Sequence, residues 1–211
     1  MIVKLSEMLL KFVLKNIRIE KEMIDIYRYG IELLVSTLIN LALITIIGIL
    51  INDIACSLVF LLGFIPIRSF CGGYHAKSYL KCNIVFSLSF VICCLCSNLM
   101  IFAFTKNYLL IIEIALIALS FPSILIFAPV KNANKIVSSN EAKKYKKISI
   151  IIFICISGIG LITTYFGIKY GILLIVTLLL VSIMILIEIF EQRRGSVSYT
   201  HLRAHETRSN L

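Results

Sequence analysis

The chain has 211 residues, of which 60% are hydrophobic and only 15% are charged. A soluble domain of this size would be near half apolar, with about a quarter of its residues charged. The mean hydropathy of +1.01 therefore excludes an ordinary soluble domain and indicates a protein embedded in a membrane. The net charge of +10 does not require a nucleic-acid partner, because the anionic inner leaflet of a membrane attracts basic segments.

The N-terminal thirty residues predict an interfacial helix. Charges at Lys4, Glu7, Lys11 and Lys15 interrupt the segment, so it lacks the apolar core of a signal peptide. Apolar residues recur at the i, i+3, i+4 and i+7 spacing of one helix face, namely Leu5, Met8, Leu9 and Phe12. We therefore expect residues 1–30 to form an amphipathic segment that lies on the membrane surface and anchors the topology.

Six apolar runs follow in chain order: Ile31–Ile51, Ile54–Ile67, Ile84–Phe104, Tyr108–Val130, Ile148–Gly167 and Gly171–Phe190. A helix needs about 20 residues to cross a hydrocarbon core about 30 Å thick. Five runs are long enough, whereas the second has 14 residues and crosses only if its helix continues into the next loop. Otherwise it is re-entrant. The pattern predicts an all-α polytopic membrane protein with about six transmembrane helices, built as one membrane-embedded domain over residues 1–192.

The positive charges predict the orientation of these spans. Of the 21 Lys and Arg residues, 19 fall in four segments, namely Met1–Gly30, Arg68–Asn83, Lys131–Lys147 and the tail after Phe190. Segments rich in Lys and Arg stay on the cytoplasmic side. We therefore expect both termini and the two basic loops to be cytoplasmic. The alternation is unbroken only if the second run crosses, which favours six spans.

The tail "RRGSVSYTHLRAHETRSNL" differs from everything before it, because it is polar and has no periodicity. It resembles a translated adaptor sequence, so residues 196–211 are set aside from fold reasoning. His201 and His205 are four residues apart, a spacing that places two metal ligands on one helix face, but in such a tail the spacing carries little weight.

The loop "RSFCGGYHAKSYLKC", Arg68–Cys82, holds most of the chemistry in the sequence. A disulfide between Cys71 and Cys82 is not expected, because cytoplasmic thiols stay reduced. A metal site from Cys71, His75 and Cys82 is an alternative, but a structural zinc site takes four ligands and no fourth is evident nearby. The other five cysteines, Cys56, Cys93, Cys94, Cys96 and Cys155, are expected to behave as small apolar residues in the spans.

A second interpretation of the loop is a Cys–His nucleophile pair. His75 is the only histidine outside the tail, and as a base it would take the proton of the Cys82 thiol. Seven residues of straight helix extend roughly 10 Å, too far for the contact of about 3–4 Å that proton transfer needs. The pair therefore requires a break, which Gly72–Gly73 can supply. Spacing alone still favours a purely structural reading, with a Gly-Gly turn and Cys82 beginning the third span.

Neighbouring groups would assist such a pair. Positive charge on Arg68, Lys77 and Lys81 would favour the thiolate form of the nucleophile. The N–H groups of Gly72 and Gly73 are candidates to hold an oxyanion.

The same loop resembles the accessory gene regulator B (AgrB) family of bacterial membrane peptidases. In that family an Arg precedes a Gly-Gly-x-His-Ala element, and a Cys follows the His by seven residues. The matching residues here are Arg68, Gly72, Gly73, His75, Ala76 and Cys82. The similarity continues into "APVKNANKIV", Ala128–Val137, and covers roughly residues 1–192.

The resemblance implies a cysteine endopeptidase of the bacterial cytoplasmic membrane that needs no cofactor or metal. Cys82 would be the nucleophile and His75 its base. The enzyme would remove the C-terminal part of a small quorum-sensing precursor peptide through a thioester. An internal side chain of the peptide would then close a thiolactone or lactone ring.

The expected partners are a precursor with an amphipathic leader and an acidic C-terminal segment, membrane lipids and a second copy of the chain. Lys77, Lys81, Lys131 and Lys135 are candidates to bind the acidic segment. Two other functions remain open, a small peptide exporter and a scaffold without activity. Glu32, Glu113 and Glu188 lie near the ends of spans, where side chains reach the interface, so the sequence shows no ion pathway.

Overall fold

The computed structural model describes residues 2–16, 23–73, 78–130 and 138–209, and within these residues all regular structure is helical. The helices in chain order are α1 (Ile2–Asn16), α2 (Ile24–Leu50), α3 (Ile54–Cys71), α4 (Tyr79–Ala103), α5 (Lys106–Phe127), α6 (Ser139–Tyr165) and α7 (Gly171–Ser209). Six of them, α2 to α7, are long and apolar enough to cross a membrane. The predicted class, an all-α polytopic membrane protein with six spans, is confirmed.

The short second run meets the condition for crossing. Helix α3 has 18 residues and continues four residues past Ile67, to Cys71. No glycine follows Gly63 until Gly72, and Pro66 is accommodated inside the helix. The last turn of α3 therefore includes Arg68, the first residue of the candidate site.

The N-terminal segment, predicted as one amphipathic stretch over residues 1–30, contains the end of one helix and the start of another. Helix α1 ends at Asn16, and α2 begins at Ile24, so residues 24–30 belong to the helix of the first span. On α1 the apolar face predicted to meet the membrane is exposed, namely Leu5, Met8, Leu9 and Phe12. Ser6 and Leu10 are buried, and α1 packs against α2.

Two compact units make up the chain. The first comprises Met1–Ser57 and Ala76–Val91, and the second comprises Leu58–His75 and Ile92–Leu211. Helices α3 and α4 each contribute residues to both. The expected site segment, Arg68–Cys82, is thus divided between the units.

In the first unit, polar bonds join α2 to the helices that follow it. The Ser57 hydroxyl at the start of α3 donates to the Ile44 carbonyl over 2.9 Å. On α4, Tyr79 donates its hydroxyl proton to Glu32 over 2.9 Å, and buried Asn83 accepts a bond from Ser36 over 3.0 Å. Such bonds between spans stabilise helix association where water is absent.

In the second unit, α5, α6 and α7 pack together around a buried polar contact. The Glu113 carboxylate on α5 accepts a hydrogen bond from Thr164 on α6 over 2.5 Å. On α7, Ser182 donates to the Ser120 carbonyl over 3.0 Å. Glu113 is completely buried, so the expectation that its side chain reaches the interface is wrong. The reason is its helix face, which points into the packed helices.

Candidate active site

A break in the helix separates the two parts of the candidate site. Helix α3 ends at Cys71 and α4 begins at Tyr79. Gly72 has a φ of 72° and Gly73 a φ of 123°, values in the left-handed region that glycine adopts without strain. The segment is therefore not one straight helix, which is the condition for a His75–Cys82 pair. His75 itself lies outside the described residues.

The Arg68 side chain folds back against the turn formed by Gly72 and Gly73, here called the glycine turn. A Cβ added at Gly73 would lie 2.6 Å from Arg68 Nη1 and 3.5 Å from the backbone N of Ile185 on α7. The backbone angle is therefore what favours glycine at this position, with the end of the Arg68 side chain packed against it. The Gly72 N–H donates to the Arg68 carbonyl over 3.1 Å, so this candidate oxyanion donor is already engaged within the turn.

The glycine turn also meets the segment that follows α5. The Val130 N–H donates to the Cys71 carbonyl over 2.9 Å, and a Cβ added at Gly72 would lie 3.1 Å from the Val130 carbonyl oxygen. The Ala128–Pro129 peptide bond, which precedes Val130, is cis. Among the described residues, the structure thus brings the Arg68–Gly73 part of the first stretch that carries the family resemblance against Val130 of the second.

Helix α6 packs on the same end of α3. Cys71 is fully buried, and its thiol is hydrogen-bonded to Ser149. The neighbouring Phe70 ring meets Tyr145 edge-on, with ring centroids 5.8 Å apart. Cys71 is therefore a packing residue at the end of α3. No group of three or more His, Cys, Asp or Glu side chains suited to a metal occurs among the described residues.

Cys82 lies one turn into α4. Its N–H donates to the Ser78 carbonyl over 3.0 Å, closing the first turn of the helix. The thiol is outside any disulfide and half-buried. Residues at i+7, i+8 and i+11 from Cys82 are Ser89, Phe90 and Cys93, all buried, so Cys82 shares the buried face of α4. The N-terminal end of a helix favours a negative charge, which suits a thiolate nucleophile.

The predicted substrate-binding lysines are only partly described. Lys81 is exposed on the first turn of α4, whereas Lys77, Lys131 and Lys135 lie outside the described residues. Helix α6 begins with a capping box. Ser138 accepts from the Glu141 N–H over 3.3 Å, and its own N–H donates to the Glu141 carboxylate over 3.0 Å. The Ser-x-x-Glu spacing was a visible signal of this helix start. Four further lysines follow it, Lys143, Lys144, Lys146 and Lys147.

The remaining cysteines follow the prediction in part. Cys93 is a buried free thiol, Cys96 is half-buried and Cys155 is exposed. Cys56 and Cys94 are each disulfide-bonded, so the expectation that all five behave as small apolar residues is wrong for these two. Both lie in apolar runs, and spacing along the chain gives no signal of such a bond.

Comparisons with known proteins identify the family of the chain. The family model described as accessory gene regulator B matches residues 6–188. A protein named AgrB-like from Clostridium perfringens (strain SM101 / Type A) is 30% identical over 152 residues, covering 70% of this chain and 69% of its own. A second AgrB-like protein, from Clostridium perfringens (strain 13 / Type A), is 27% identical with the same coverage.

A third relative, an AgrB-like protein from Lactiplantibacillus plantarum (strain ATCC BAA-793 / NCIMB 8826 / WCFS1), is 30% identical over 88 residues, 42% of this chain and 44% of its own. No solved structure matches the chain. The family model covers more than half of the chain, including both stretches of sequence that carry the resemblance. The chain therefore belongs to the accessory gene regulator B family, whose members take part in the processing of quorum-sensing peptides.

Proposed function

We propose that the chain is a cysteine endopeptidase that cuts a small precursor peptide at the membrane and promotes its cyclisation. Cys82 is the nucleophile and His75 its base. The observation that carries this proposal is the helix break at Gly72–Gly73, with Cys82 in the first turn of the next helix. An unbroken helix would have held the two side chains about 10 Å apart.

The reaction has two acyl-transfer steps. His75 takes the thiol proton of Cys82 as the sulfur attacks the carbonyl carbon of the scissile peptide bond. When the tetrahedral intermediate collapses, the C–N bond breaks and His75 returns the proton to the leaving amine. The N-terminal part of the peptide is then held as a thioester.

Ring closure follows by exchange. An internal thiol of the peptide loses its proton to His75 and attacks the thioester carbonyl, and the Cys82 sulfur leaves as a thiol. One thioester replaces another, so the exchange changes the free energy little. A half-buried site that keeps the peptide thiol close and limits water favours ring closure over hydrolysis.

The turn at Gly72–Gly73 would support this chemistry by holding Arg68 and the end of α3 in place. Arg68 lies against Gly73, and Val130 holds the end of α3 through the Cys71 carbonyl. Positive charge on Arg68 would stabilise the oxyanion of the tetrahedral intermediate. Because Arg68 also packs against the turn, it acts on position as well as on charge.

Partners and orientation belong to the same proposal. Both termini and the His75–Cys82 loop are cytoplasmic, on the side predicted by 19 of the 21 Lys and Arg residues. The precursor has an amphipathic leader and an acidic C-terminal segment, which Lys77, Lys81, Lys131 and Lys135 bind. Membrane lipids and a second copy of the chain are the other partners.

The decisive experiment is to trap the thioester. Membranes containing the chain and a tagged precursor are quenched in acid, and the chain is examined by mass. We expect an adduct with the N-terminal part of the peptide that hydroxylamine removes and that Cys82→Ala lacks. Cleavage without such an adduct, or an adduct that persists in Cys82→Ala, would contradict the proposed mechanism.

One observation favours peptide export as a second candidate function. Glu113 is completely buried within α5, and its Oε2 atom has no hydrogen-bond partner. Ionisable residues buried in spans often mark transport pathways. Assays that measure cleavage and release separately distinguish the two functions. In an exporter, Glu113→Gln stops release and Cys82→Ala does not. In the proposed peptidase, Cys82→Ala stops cleavage, whereas Glu113→Gln leaves it within about twofold.

A further inference from the structure

Two hydrogen bonds join α2 to the start of α4, one on each side of Cys82 along the chain. The Tyr79 hydroxyl donates to the Glu32 carboxylate over 2.9 Å. The Ser36 hydroxyl donates to the Asn83 side chain over 3.0 Å. Cys82 follows Tyr79 by three residues and precedes Asn83 by one. The turn of α4 that carries the proposed nucleophile is therefore attached to α2 at two points.

The spacing of the two bonds is regular. The residues of each pair are 47 positions apart, and the second pair lies four residues further along both helices, so α2 and α4 run parallel along this face. Asn40 and Ser87 continue the same spacing. Their side-chain atoms Asn40 Oδ1 and Ser87 Oγ are buried without a hydrogen-bond partner. The two helices are therefore bonded beside Cys82 and not at the next pair.

The position of Cys82 at a helix end makes this attachment important. Its N–H forms the bond that closes the first turn of α4, to the Ser78 carbonyl over 3.0 Å. Helix ends fray, because opening them costs little free energy. A misplacement of about 1 Å in an active site can lower the rate about 10²-fold. A nucleophile on a first turn therefore needs that turn to be held.

Tyr79 is the residue that holds this turn to α2. Of the four residues before Cys82, three are exposed, namely Ser78, Leu80 and Lys81. Tyr79 is the first residue of α4, and its bond to Glu32 is partly buried. A carboxylate acceptor makes such a bond stronger than one between neutral groups. The bond therefore acts at the end of α4 where fraying would begin.

We propose that Glu32 is a positioning residue of the peptidase, which fixes the place of Cys82 through its hydrogen bond to Tyr79. The inference rests on the proposed peptidase function and adds a residue of α2 to its site. Glu32 takes no proton from the nucleophile and makes no bond to the peptide. Loss of its bond should therefore slow the reaction of bound peptide and leave the binding of the peptide unchanged.

Hydrogen–deuterium exchange tests the position of the turn without any substrate. The full-length chain is placed in phosphatidylglycerol–phosphatidylcholine nanodiscs, and exchange is measured in the fragment that contains the Cys82 amide. We expect Tyr79→Phe, which removes only the hydroxyl, to speed exchange there at least about fivefold and to leave α6 unchanged. The matched control is Ser87→Ala, which removes an α4 hydroxyl that has no partner. Unchanged exchange at the Cys82 turn, or equally faster exchange in α6, would overturn the proposal.

Cleavage of the tagged precursor gives a kinetic test. Glu32→Ala and Tyr79→Phe should each lower kcat at least about tenfold and change KM less than about twofold. The double variant should be no slower than either, because the two residues act through one bond. Glu32→Gln should stay within about threefold of the wild-type kcat, because its amide oxygen can accept the same bond. If Glu32→Gln were as slow as Glu32→Ala, the charge rather than the bond would matter, which would overturn the proposal.

The two tests separate this proposal from the peptidase function. Cleavage that survives Cys82→Ala would contradict the peptidase function, and the exchange rates would then decide by themselves whether the bond between Glu32 and Tyr79 holds the turn. A wild-type kcat in Glu32→Ala, with cleavage abolished in Cys82→Ala, would overturn the positioning role alone.

Discussion

The two ends of the segment from Arg68 to Cys82 are held in different ways. The Arg68–Gly73 end is enclosed by neighbours from three other parts of the second unit. Val130 binds the Cys71 carbonyl, Ser149 bonds the Cys71 thiol, and the α7 backbone approaches Gly73. The Ser78–Cys82 end belongs to the first unit and lies beside an open apolar groove.

This difference separates two tasks within one short motif. The glycine end has little room for an added atom, so it serves as a fixed frame. The cysteine end has an exposed apolar wall beside it, and under the proposed function its task is the chemistry at Cys82. Substitutions at the two ends should therefore have different effects. Those at the glycine end should lower stability, and those at the cysteine end should lower the rate of cleavage or the binding of the peptide.

The largest expected effect is at the cysteine end. Cys82→Ala and His75→Ala should each lower cleavage by at least about 10⁴-fold, and the double variant should be no slower than either, because nucleophile and base act as one unit. Precursor cleavage is measured on immunoblots with the amount of inserted protein normalised. Cys155→Ala, which removes an exposed free thiol, is the control. Additive losses would mean that the two residues act separately.

At the glycine end we expect loss of stability. Gly73→Ala places a side chain at a φ of 123°, which residues other than glycine rarely adopt, so the free energy of unfolding should fall by about 1–3 kcal/mol. Gly158→Ala, with no atom within 4 Å of the added Cβ, should change it by less than about 1 kcal/mol. Thermal unfolding in detergent measures both. Equal midpoints would show that the glycine end is not a fixed frame.

A smaller effect is expected at Cys71, which distinguishes packing from metal binding. Cys71→Ala removes a buried thiol that bonds Ser149, and should lower the free energy of unfolding by about 1 kcal/mol. Cleavage should stay within about twofold of the wild-type rate. If Cys71→Ala abolished cleavage in a correctly inserted chain, the site from Cys71, His75 and Cys82 would again be the better interpretation.

The smallest effect is expected for cysteine substitutions that report the orientation of the chain in the membrane, because the substitutions themselves should change the protein little. In a chain without native cysteines, Lys144→Cys should react with an impermeant maleimide only after the inner face is exposed. Lys169→Cys, in the connection after α6, should react from outside. Both positions are exposed in the structure. External labelling of Lys144→Cys would contradict the cytoplasmic placement of the loops.

Much of the fold could be predicted from the sequence because local chemistry determines it. Runs of apolar residues predicted the spans, and the glycine pair predicted the end of α3. The second run is too short by itself, and α3 gains the length to cross by continuing into the loop as far as Cys71. These features depend on residues that are close together along the chain.

The contacts that shape the candidate site could not be predicted in the same way. Val130 bonds Cys71 from 59 residues away, and Thr164 meets Glu113 from 51 residues away. The position of Glu113 along its span predicted a side chain near the interface. The side chain is buried instead, because it lies on the face of α5 that packs against the other helices. The groove depends on how α2 and α4 pack, which neither helix shows alone.

The length of α3 has a consequence for the membrane around the protein. Its 18 residues extend only about 27 Å, less than a hydrocarbon core about 30 Å thick, and Arg68 occupies its last turn. Such hydrophobic mismatch is relieved when the bilayer thins locally. The Gly72–Gly73 turn would then lie at the level of the lipid headgroups, and the rate of cleavage should depend on the acyl-chain length of the surrounding lipids.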